Sequence, residues 1–223
     1  MSTNARISIG IAAAFVLVAG ILLAVNAANG SGSSTSTTSS NTTGTDRHER
    51  LVRSDSHKLD VAADGKATFV EFLDFECESC RAAFPAVEQL RKDYAGKVTF
   101  VVRYFPLPGH FNAERAARAV EAASGQGKFE QMYRKMYETQ AEWGEQQVAA
   151  DDRFRGFAKD LGLDLAAWDK AYNDPATLER IKRDVADGEA LGVTGTPTFF
   201  LNGEKLQPES AQDLIASIDA ALE

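Results

Sequence analysis

The sequence predicts an α/β protein in which a small mixed sheet is flanked by helices and interrupted by an inserted helical subdomain. Three observations support this fold class. An almost wholly apolar run at 67–74 is typical of a buried central strand. Residues 110–191 show helical periodicity almost throughout. Strand patterns then return on both sides of Asn202-Gly203, which is a strong hairpin signal.

The predicted elements follow one another in a simple order. Strands are expected at 57–61, 67–74 and 97–104, with a helix at 80–95 before the last of them. Pro85 lies inside that helical pattern and is expected to kink the helix or end its first part. The later elements are helices at 112–124, 128–140, 151–161, 165–172 and 174–191, strands at 197–201 and 204–206, and a final helix at 210–222.

Length, composition and charge exclude several classes of function. A chain of 223 residues suits one domain with additional segments, and 44% hydrophobic and 25% charged residues are ordinary for a globular protein. The formal net charge is -8 and no basic stripe is visible, so nucleic acid is not an expected partner. No glycine-rich phosphate loop is present, so we expect no nucleotide or other cofactor. We expect a monomer.

The N-terminus contains a candidate membrane segment. Residues 7–28 carry no charge and are long enough to span a bilayer. Arg6 precedes this run and no lysine or arginine follows it until Arg47, so residues 1–6 are expected in the cytoplasm and the rest outside. The alternative is a cleaved signal peptide, for which small residues at 24–28 offer a cleavage site. The predicted location is the cell membrane, or the secreted or periplasmic space after cleavage.

A polar segment follows and separates the membrane segment from the folded domain. Residues 29–45 consist of Gly, Ser, Thr and Asn without a large apolar side chain, so they cannot bury enough apolar surface to order themselves. We therefore predict a flexible Ser/Thr-rich linker at 29–53 and a folded domain at 54–223.

Cys77 and Cys80 are the only two cysteines, and they lie between the predicted central strand and the helix after it. A Cys-x-x-Cys pair at the start of a helix is typical of thiol–disulfide chemistry. A structural disulfide is the weaker alternative, because it would close too small a loop to restrict the unfolded chain much. Zinc is weaker still, because a structural site needs four ligands and no histidine has the required spacing. No metal is expected.

Three motifs together resemble the DsbA-like family of exported thiol–disulfide oxidoreductases. They are the strand and dithiol at 69–80, the run Val193-Thr194-Gly195-Thr196-Pro197-Thr198-Phe199-Phe200, and the hairpin that follows it. The resemblance covers about residues 55–223. It implies a thioredoxin-like fold with a helical insertion, and the N-terminal segments are similar to those of membrane-anchored bacterial members.

The resemblance and the local sequence assign roles to five residues. Cys77 is expected to be the nucleophile, because it lies at a helix N-terminus that favours a thiolate, and Cys80 the resolving thiol. The family implies that Glu71 is a buried acid that shuttles protons, with a pKa raised by burial; the alternative is a solvated carboxylate at the sheet edge. The family also implies a cis bond at Thr196-Pro197 and a substrate segment paired to its backbone, against an ordinary trans proline.

Other residues near these motifs carry expectations of their own. Asp74, Glu76 and Glu78 surround the dithiol with negative charge, which is expected to raise the pKa of Cys77 and weaken it as an oxidant. His110 either faces the site or is an ordinary surface histidine. The aromatic face at 129–137 is most simply core packing of the insertion, with a peptide groove as the alternative.

The expected function is the formation of disulfides in newly exported, unfolded proteins that carry thiols. Reoxidation is expected from a membrane redox partner, as the family implies. One alternative is an extracytoplasmic disulfide reductase or isomerase, for example in cytochrome c maturation. Another is a non-enzymatic module that binds peptides through the loop around Pro197.

Overall fold

The structure is a computed structural model, and it describes the backbone from residue 40 and the side chains from residue 46 to the end of the chain. The predicted cytoplasmic end at 1–6, the predicted membrane segment at 7–28 and the first part of the predicted linker lie outside the described residues. Among the helices from residue 40 onward, none combines the length and the apolar character needed to cross a membrane.

The described part of the chain contains five strands and eight α-helices. The strands are β1 (His57–Asp60), β2 (Ala67–Leu73), β3 (Val98–Tyr104), β4 (Thr198–Leu201) and β5 (Glu204–Lys205). The helices are α1 (Ser40–Leu51), α2 (Glu78–Asp93), α3 (Ala113–Ser124), α4 (Phe129–Thr139), α5 (Asp151–Asp160), α6 (Leu165–Asn173), α7 (Pro175–Ala190) and α8 (Ala211–Leu222). Every element predicted after residue 54 is present.

The strands form one mixed sheet in the order β1-β3-β2-β4-β5. The central pair, β2 and β3, is parallel, and α2 makes the crossover between them. The other neighbouring pairs are antiparallel. Helices α3 to α7 are inserted between β3 and β4, so the predicted fold class, a small mixed sheet with flanking helices and a helical insertion, is confirmed.

Successive side chains of β2 alternate between the two faces of the sheet. Phe69 belongs to the apolar cluster that includes Leu90 of α2 and Ile218 of α8. Val70 and Phe72 belong to a second cluster on the opposite face. This alternation places Glu71 on the same face as Phe69, beneath α2, because the two residues are two positions apart.

Pro85 does not end helix α2, which continues without interruption from Glu78 to Asp93. The alternative that Pro85 ends the first part of the helix is therefore wrong, and a kink stays a prediction. Proline removes one backbone hydrogen bond, whereas Val87 and Leu90, just beyond it, are almost fully buried against the sheet. Burial of two such side chains contributes roughly 3–6 kcal/mol, which is enough to outweigh the proline penalty of about 3 kcal/mol.

The predicted linker at 29–53 is wrong in its last part, because α1 reaches Leu51 and that side chain is only 1% exposed. The cause is a buried arginine on β3. Arg103 is fully buried, and its guanidinium needs acceptors at every N–H. It donates to the carbonyl oxygen of Leu51 at 2.8 Å and to Asp187 of α7 at 2.6 Å. The end of α1 is thus held against the domain.

Candidate active site

The two thiols lie where β2 gives way to α2. Cys77 is the N-cap residue of α2 and has extended backbone angles. Cys77 is 6% exposed and Cys80 is fully buried, and both are free thiols. This is the predicted asymmetry, in which the first cysteine is the accessible one and the second lies one turn into the helix.

The loop before β4 lies directly against Cys77. Strand β4 pairs with β2 so that Thr198 is opposite Phe72, which brings the preceding residues to the carboxyl end of β2. The Thr196–Pro197 peptide bond is cis, as the family resemblance implied. The Cys77 thiol donates to the carbonyl oxygen of Thr196 at 3.3 Å. The structure therefore brings Cys77, Cys80, Thr196 and Pro197 into one site.

The two thiols have opposite acidities. The pKa of Cys77 is lowered to about 5, chiefly by a hydrogen bond from the Cys80 side chain, against an opposing effect of burial. The Thr196 side chain and the backbone N–H groups of Cys80 and Ser79 lower it further. The Thr196 hydroxyl oxygen is buried and has no other partner among the described residues, so it is available to the thiolate. Burial raises the pKa of Cys80 well above its usual value.

The expectation of a raised pKa at Cys77 is wrong, because hydrogen bonds to its thiolate lower that pKa. Two of the three acidic neighbours are themselves bonded to backbone N–H groups. Asp74 is 1% exposed and accepts from the backbone N–H of Glu76 at 2.8 Å and of Leu107 at 3.0 Å. Glu76 is equally buried and accepts from the backbone N–H of Glu145 at 3.1 Å. Both carboxylates are thus used to hold the loops around the dithiol.

Glu71 is buried, as the resemblance implied, and does not lie solvated at the sheet edge. It is 4% exposed, and its pKa is raised to about 8 by burial, with smaller contributions from the charges of Glu88 and Cys77. Its charge in turn contributes to the raised pKa of Cys80. At neutral pH the Glu71 carboxyl therefore carries a proton in the neighbourhood of the buried thiol.

Side chains from the helical insertion hold the backbone of the dithiol turn. Gln140, which follows α4, is 2% exposed and donates to the carbonyl oxygens of Phe75 at 2.7 Å and Cys77 at 2.9 Å. The Tyr137 hydroxyl donates to the carbonyl oxygen of Asp74 at 3.4 Å. Sequence reasoning missed Gln140, because nothing local connects a glutamine with a motif more than 60 positions earlier.

His110 faces the site through Asp74, so the simple surface reading does not hold. Its Nδ1 lies 2.6 Å from Asp74 Oδ2, and the side chain is 20% exposed. Burial lowers the pKa of His110, but the hydrogen bond and charge of Asp74 and the charge of Cys77 raise it above its usual value. The aromatic face of α4 is core packing, as expected, with Tyr133 and Tyr137 in contact with Phe75 and Phe84.

One group of described side chains has atoms of the kinds that bind metals. The nearest donor atoms of Glu78, His110 and Glu145 lie within 4.8 Å of one another. Both carboxylates are exposed, and one nitrogen of His110 is already bonded to Asp74. We assign no metal ligands there, and the expectation of no metal stays a prediction.

A groove of about 480 Å³ runs beside the dithiol. It is lined by Ser79 of α2, by Thr194–Phe199 and by Lys205–Pro208. Its wall therefore contains the loop around Pro197, which also contacts Cys77. A bound chain in this groove would lie alongside the backbone of the loop that precedes β4.

Comparison with known families identifies the class of protein. A sequence family described as Thioredoxin matches residues 62–220, which is most of the described domain. The chain therefore belongs to the thioredoxin family. The match includes the dithiol, the loop around Pro197 and the whole helical insertion.

Solved structures place the chain beside DsbA-like proteins within that class. A thioredoxin-like oxidoreductase from Silicibacter pomeroyi DSS-3 has a TM-score of 0.64 and 26% identity, covering 77% of this chain and 95% of that chain. Wolbachia pipientis α-DsbA1 has a TM-score of 0.70 and 18% identity, covering 79% and 96%. Bacillus subtilis BdbD has a TM-score of 0.66 and 20% identity, covering 75% and 92%. The DsbA-like fold is confirmed; membrane anchoring stays a prediction.

Several curated relatives of the chain are named as sodium/proton antiporters. A protein named Na(+)/H(+) antiporter NhaA from Herminiimonas arsenicoxydans is 34% identical over 159 residues, which is 71% of this chain and 24% of that protein. The antiporter NhaA 3 of Salinispora tropica is 37% identical over 160 residues, again 24% of its length. The chain thus spans about a quarter of these relatives, and the name of the whole protein is not carried over to it.

Proposed function

We propose that this protein is an extracytoplasmic thiol–disulfide oxidoreductase that forms disulfides in exported proteins through Cys77 and Cys80. The observation that carries the proposal is the opposite acidity of the two thiols. Cys77, with a pKa of about 5, is a thiolate at neutral pH, whereas the pKa of Cys80 is raised by burial. In such a pair, one sulfur forms and later leaves the mixed disulfide with the substrate, and the other sulfur resolves that mixed disulfide.

The first step starts from the Cys77–Cys80 disulfide. A substrate thiolate attacks the Cys77 sulfur, forming a substrate–Cys77 disulfide and breaking the bond to Cys80. The Cys80 sulfur leaves with the electron pair and takes a proton. Glu71 is suited to supply that proton, because its pKa of about 8 keeps its carboxyl protonated at neutral pH.

The second step releases the oxidised substrate. A second substrate thiolate attacks the substrate sulfur of the mixed disulfide, and Cys77 leaves as a thiolate. Its low pKa makes Cys77 a good leaving group. Two electrons have then passed from the substrate dithiol to the Cys77–Cys80 pair. A disulfide-bearing or quinone-linked partner in the membrane would take them away and restore the disulfide.

The groove beside Pro197 supports binding of an extended substrate segment. The backbone of Thr196 lies beside the nucleophile, with its carbonyl 3.3 Å from the Cys77 sulfur. A peptide that pairs with this backbone would present its cysteine to Cys77 through main-chain hydrogen bonds, which do not depend on its other side chains. This mode of binding suits unfolded proteins of varied sequence, which we propose as the substrates.

The direction of the reaction follows from the stability of the reduced form. A stabilised Cys77 thiolate favours the dithiol state, which makes the disulfide state a better oxidant. A pKa of about 5 lies between the values of about 7 for thioredoxin and about 3.5 for a strong oxidase. We therefore favour an oxidase of moderate strength over a reductase or an isomerase.

The reduction potential tests this direction. The protein, equilibrated with glutathione buffers of varied ratio, is expected to titrate between about -180 and -120 mV. A potential near the thioredoxin value of about -270 mV would instead indicate a reductase.

Trapping of mixed disulfides tests the enzymatic reading itself. A Cys80→Ser variant expressed in the native host is expected to accumulate disulfide-linked adducts with exported proteins, because the resolving thiol is absent. The matched Cys77→Ser variant should form none. If the double variant restored function to a deletion strain, the non-enzymatic peptide-binding alternative would replace this proposal.

The proposed location is carried by the uncharged run at 7–28 and by the use of a dithiol pair, since disulfides persist outside the cytoplasm. A membrane-impermeant maleimide applied to intact cells, or to spheroplasts where an outer membrane is present, should label reduced Cys77. Labelling only after lysis would place the domain in the cytoplasm.

A further inference from the structure

His110 reaches the dithiol from a part of the chain far from the Cys-x-x-Cys motif. It follows β3 in the loop that leads to α3, and its Nδ1 lies 2.6 Å from Asp74 Oδ2. The same Asp74 residue accepts the backbone N–H of Cys77 at its carbonyl oxygen, at 3.2 Å. Asp74 thus joins the imidazole to the turn that holds the nucleophile.

The His110 ring also lies near the exposed side of the same turn. One of its ring nitrogens lies within 4.8 Å of a carboxylate oxygen of Glu78, the residue directly after Cys77. The groups that surround the ring are mostly acidic. They are Asp74, Glu76, Cys77, Glu78 and Glu145 on the dithiol side, and Glu114, Arg115, Arg118 and Asp151 around the cavity on the other side.

His110 is a group near Cys77 that can carry a positive charge, and its own charge interacts with that of Cys77. Arg115 lies over the ring of Phe111 and is paired with Asp151, and Arg118 is stacked on Tyr172. Both guanidinium groups are therefore engaged with other side chains of this cavity. In contrast, Asp74 and Cys77 both favour the protonated imidazole of His110.

We propose that His110, oriented by Asp74, is a positioning residue that stabilises the Cys77 thiolate electrostatically and so favours the reduced state of the pair. This inference rests on the proposed exchange at Cys77. In the disulfide state the Cys77 sulfur is neutral, whereas in the reduced state it carries a full negative charge. A protonated His110 therefore interacts differently with the two redox states.

The coupling is reciprocal, because linkage requires it. If protonated His110 stabilises the reduced form, reduction must make His110 bind its proton more tightly. The oxidising power that His110 contributes is then present while the imidazole is protonated, and it is lost as the pH rises through the pKa of His110. The loop between β3 and α3 thereby supplies a cationic group that the Glu78-Ser79 pair between the cysteines lacks.

The direct test is a pH titration of His110 by NMR in the oxidised and the reduced protein, with a chelator present. His110 is expected to bind its proton at least threefold more tightly in the reduced form. His57 is an internal control, because its Nε2 makes the same 2.6 Å contact with a carboxylate, Glu121, but lies on β1 with β3 between it and β2. The ring signals of His57 should show no difference between the two redox states.

A pair of variants gives a second, independent measurement. His110→Gln keeps a hydrogen-bonding group beside Asp74 but removes the charge. It should raise the pKa of Cys77, read from thiolate absorbance, and shift the equilibrium with glutathione threefold to tenfold away from the dithiol, which is at most about 30 mV. His57→Gln should change neither quantity.

The outcomes separate this inference from the proposed function. Equal proton affinity of His110 in both redox states would overturn the role of His110. An unchanged pKa of Cys77 and an unchanged equilibrium with glutathione in a folded His110→Gln variant would do the same. Mixed disulfides trapped by Cys80→Ser would leave the oxidoreductase proposal intact in that case. An absence of such adducts would remove both.

Discussion

Two buried acids lie three positions apart beside the dithiol, and they have different environments. Glu71, on β2, is 4% exposed, and no hydrogen bond is among the influences on the pKa of its carboxyl group. Asp74, in the turn after β2, is 1% exposed and is bonded to two backbone N–H groups and to His110. Burial is the largest influence on both pKa values, which are raised to about 8 and about 6.

The difference shows what burial does with and without partners. A buried carboxyl without donors prefers to be neutral, and it can then give and take a proton near neutral pH. A buried carboxyl with donors retains more of its charge and holds the groups that bind it. Glu71 is therefore suited to proton transfer, and Asp74 is suited to holding the loops in place.

The largest expected effect is on the pH dependence of folding when Glu71 is replaced by Gln. Because the folded pKa is raised from 4.5 to about 8, the contribution of Glu71 to stability is greatest below pH 4.5 and is lost as the pH rises to 8. At 1.36 kcal/mol for each pKa unit, the loss is up to about 5 kcal/mol. Glu71→Gln should therefore be more stable than the parent at pH 8.5 and similar to it at pH 4.5.

Urea unfolding of the disulfide form, in which no thiol titrates, measures the effect of burial and of Glu88, without the smallest contribution, that of the Cys77 charge. Glu138→Gln, an exposed position on α4, is the matched control and should change stability by less than about 0.5 kcal/mol at either pH. Parallel curves for the Glu71→Gln variant and the parent across this pH range would show that Glu71 is ionised in the folded state.

Gln140→Leu should give the next largest effect, because Gln140, like Asp74, is buried with its partners. The change leaves the carbonyl oxygens of Phe75 and Cys77 without their donor, at a cost of about 3 kcal/mol. Gln126 also makes two hydrogen bonds, both to the backbone of Asp164, but these bonds are exposed to solvent. Gln126→Leu should cost under about 1 kcal/mol, and equal losses of unfolding free energy would contradict the assignment.

Asp74→Asn should change local hydrogen bonding rather than the pH dependence of folding. An amide has one acceptor oxygen, so it cannot accept from the backbone N–H groups of both Glu76 and Leu107. The N–H that loses its acceptor should exchange with solvent about tenfold faster, which corresponds to one net hydrogen bond. Hydrogen exchange followed by NMR checks this, with Glu71→Gln as the matched neutralisation. Unchanged protection at both amides would remove Asp74 from its holding role.

The smallest effect is expected from Glu78→Gln. Glu78 is exposed, and solvent screens its charge. Removal of this charge should change the acid dissociation constant of Cys77 by less than about threefold, or under 0.7 kcal/mol. Thiolate absorbance is the measurement. A tenfold change would restore the view that the acidic residues of the motif govern Cys77.

Much of the fold could be predicted from the sequence because its signals are local. The apolar run of β2, the helical periodicity of the insertion and the Asn202-Gly203 turn each depend on neighbours a few positions apart. The dithiol and the run around Pro197 could likewise be recognised as motifs. These features placed Cys77, Cys80, Thr196 and Pro197 in one site before their contacts were known.

The features that could not be predicted all depend on distant partners. The charges of Asp74 and Glu76 were visible, but their direction depends on backbone N–H groups contributed by the insertion and by the loop after β3. Helix α1 has few apolar residues, and its end is ordered because Arg103, about 50 positions later, takes the carbonyl oxygen of Leu51. Proximity in sequence carries no information about such pairs.

The contact between Arg103 and Leu51 has a practical consequence for any shortened form of this protein. The low-complexity composition suggests residue 54 as the first residue of a minimal domain. A chain cut there would lose the apolar side chain of Leu51, and it would leave the guanidinium of Arg103 short of an acceptor in the interior. A shortened domain therefore has to keep the end of α1 with Leu51.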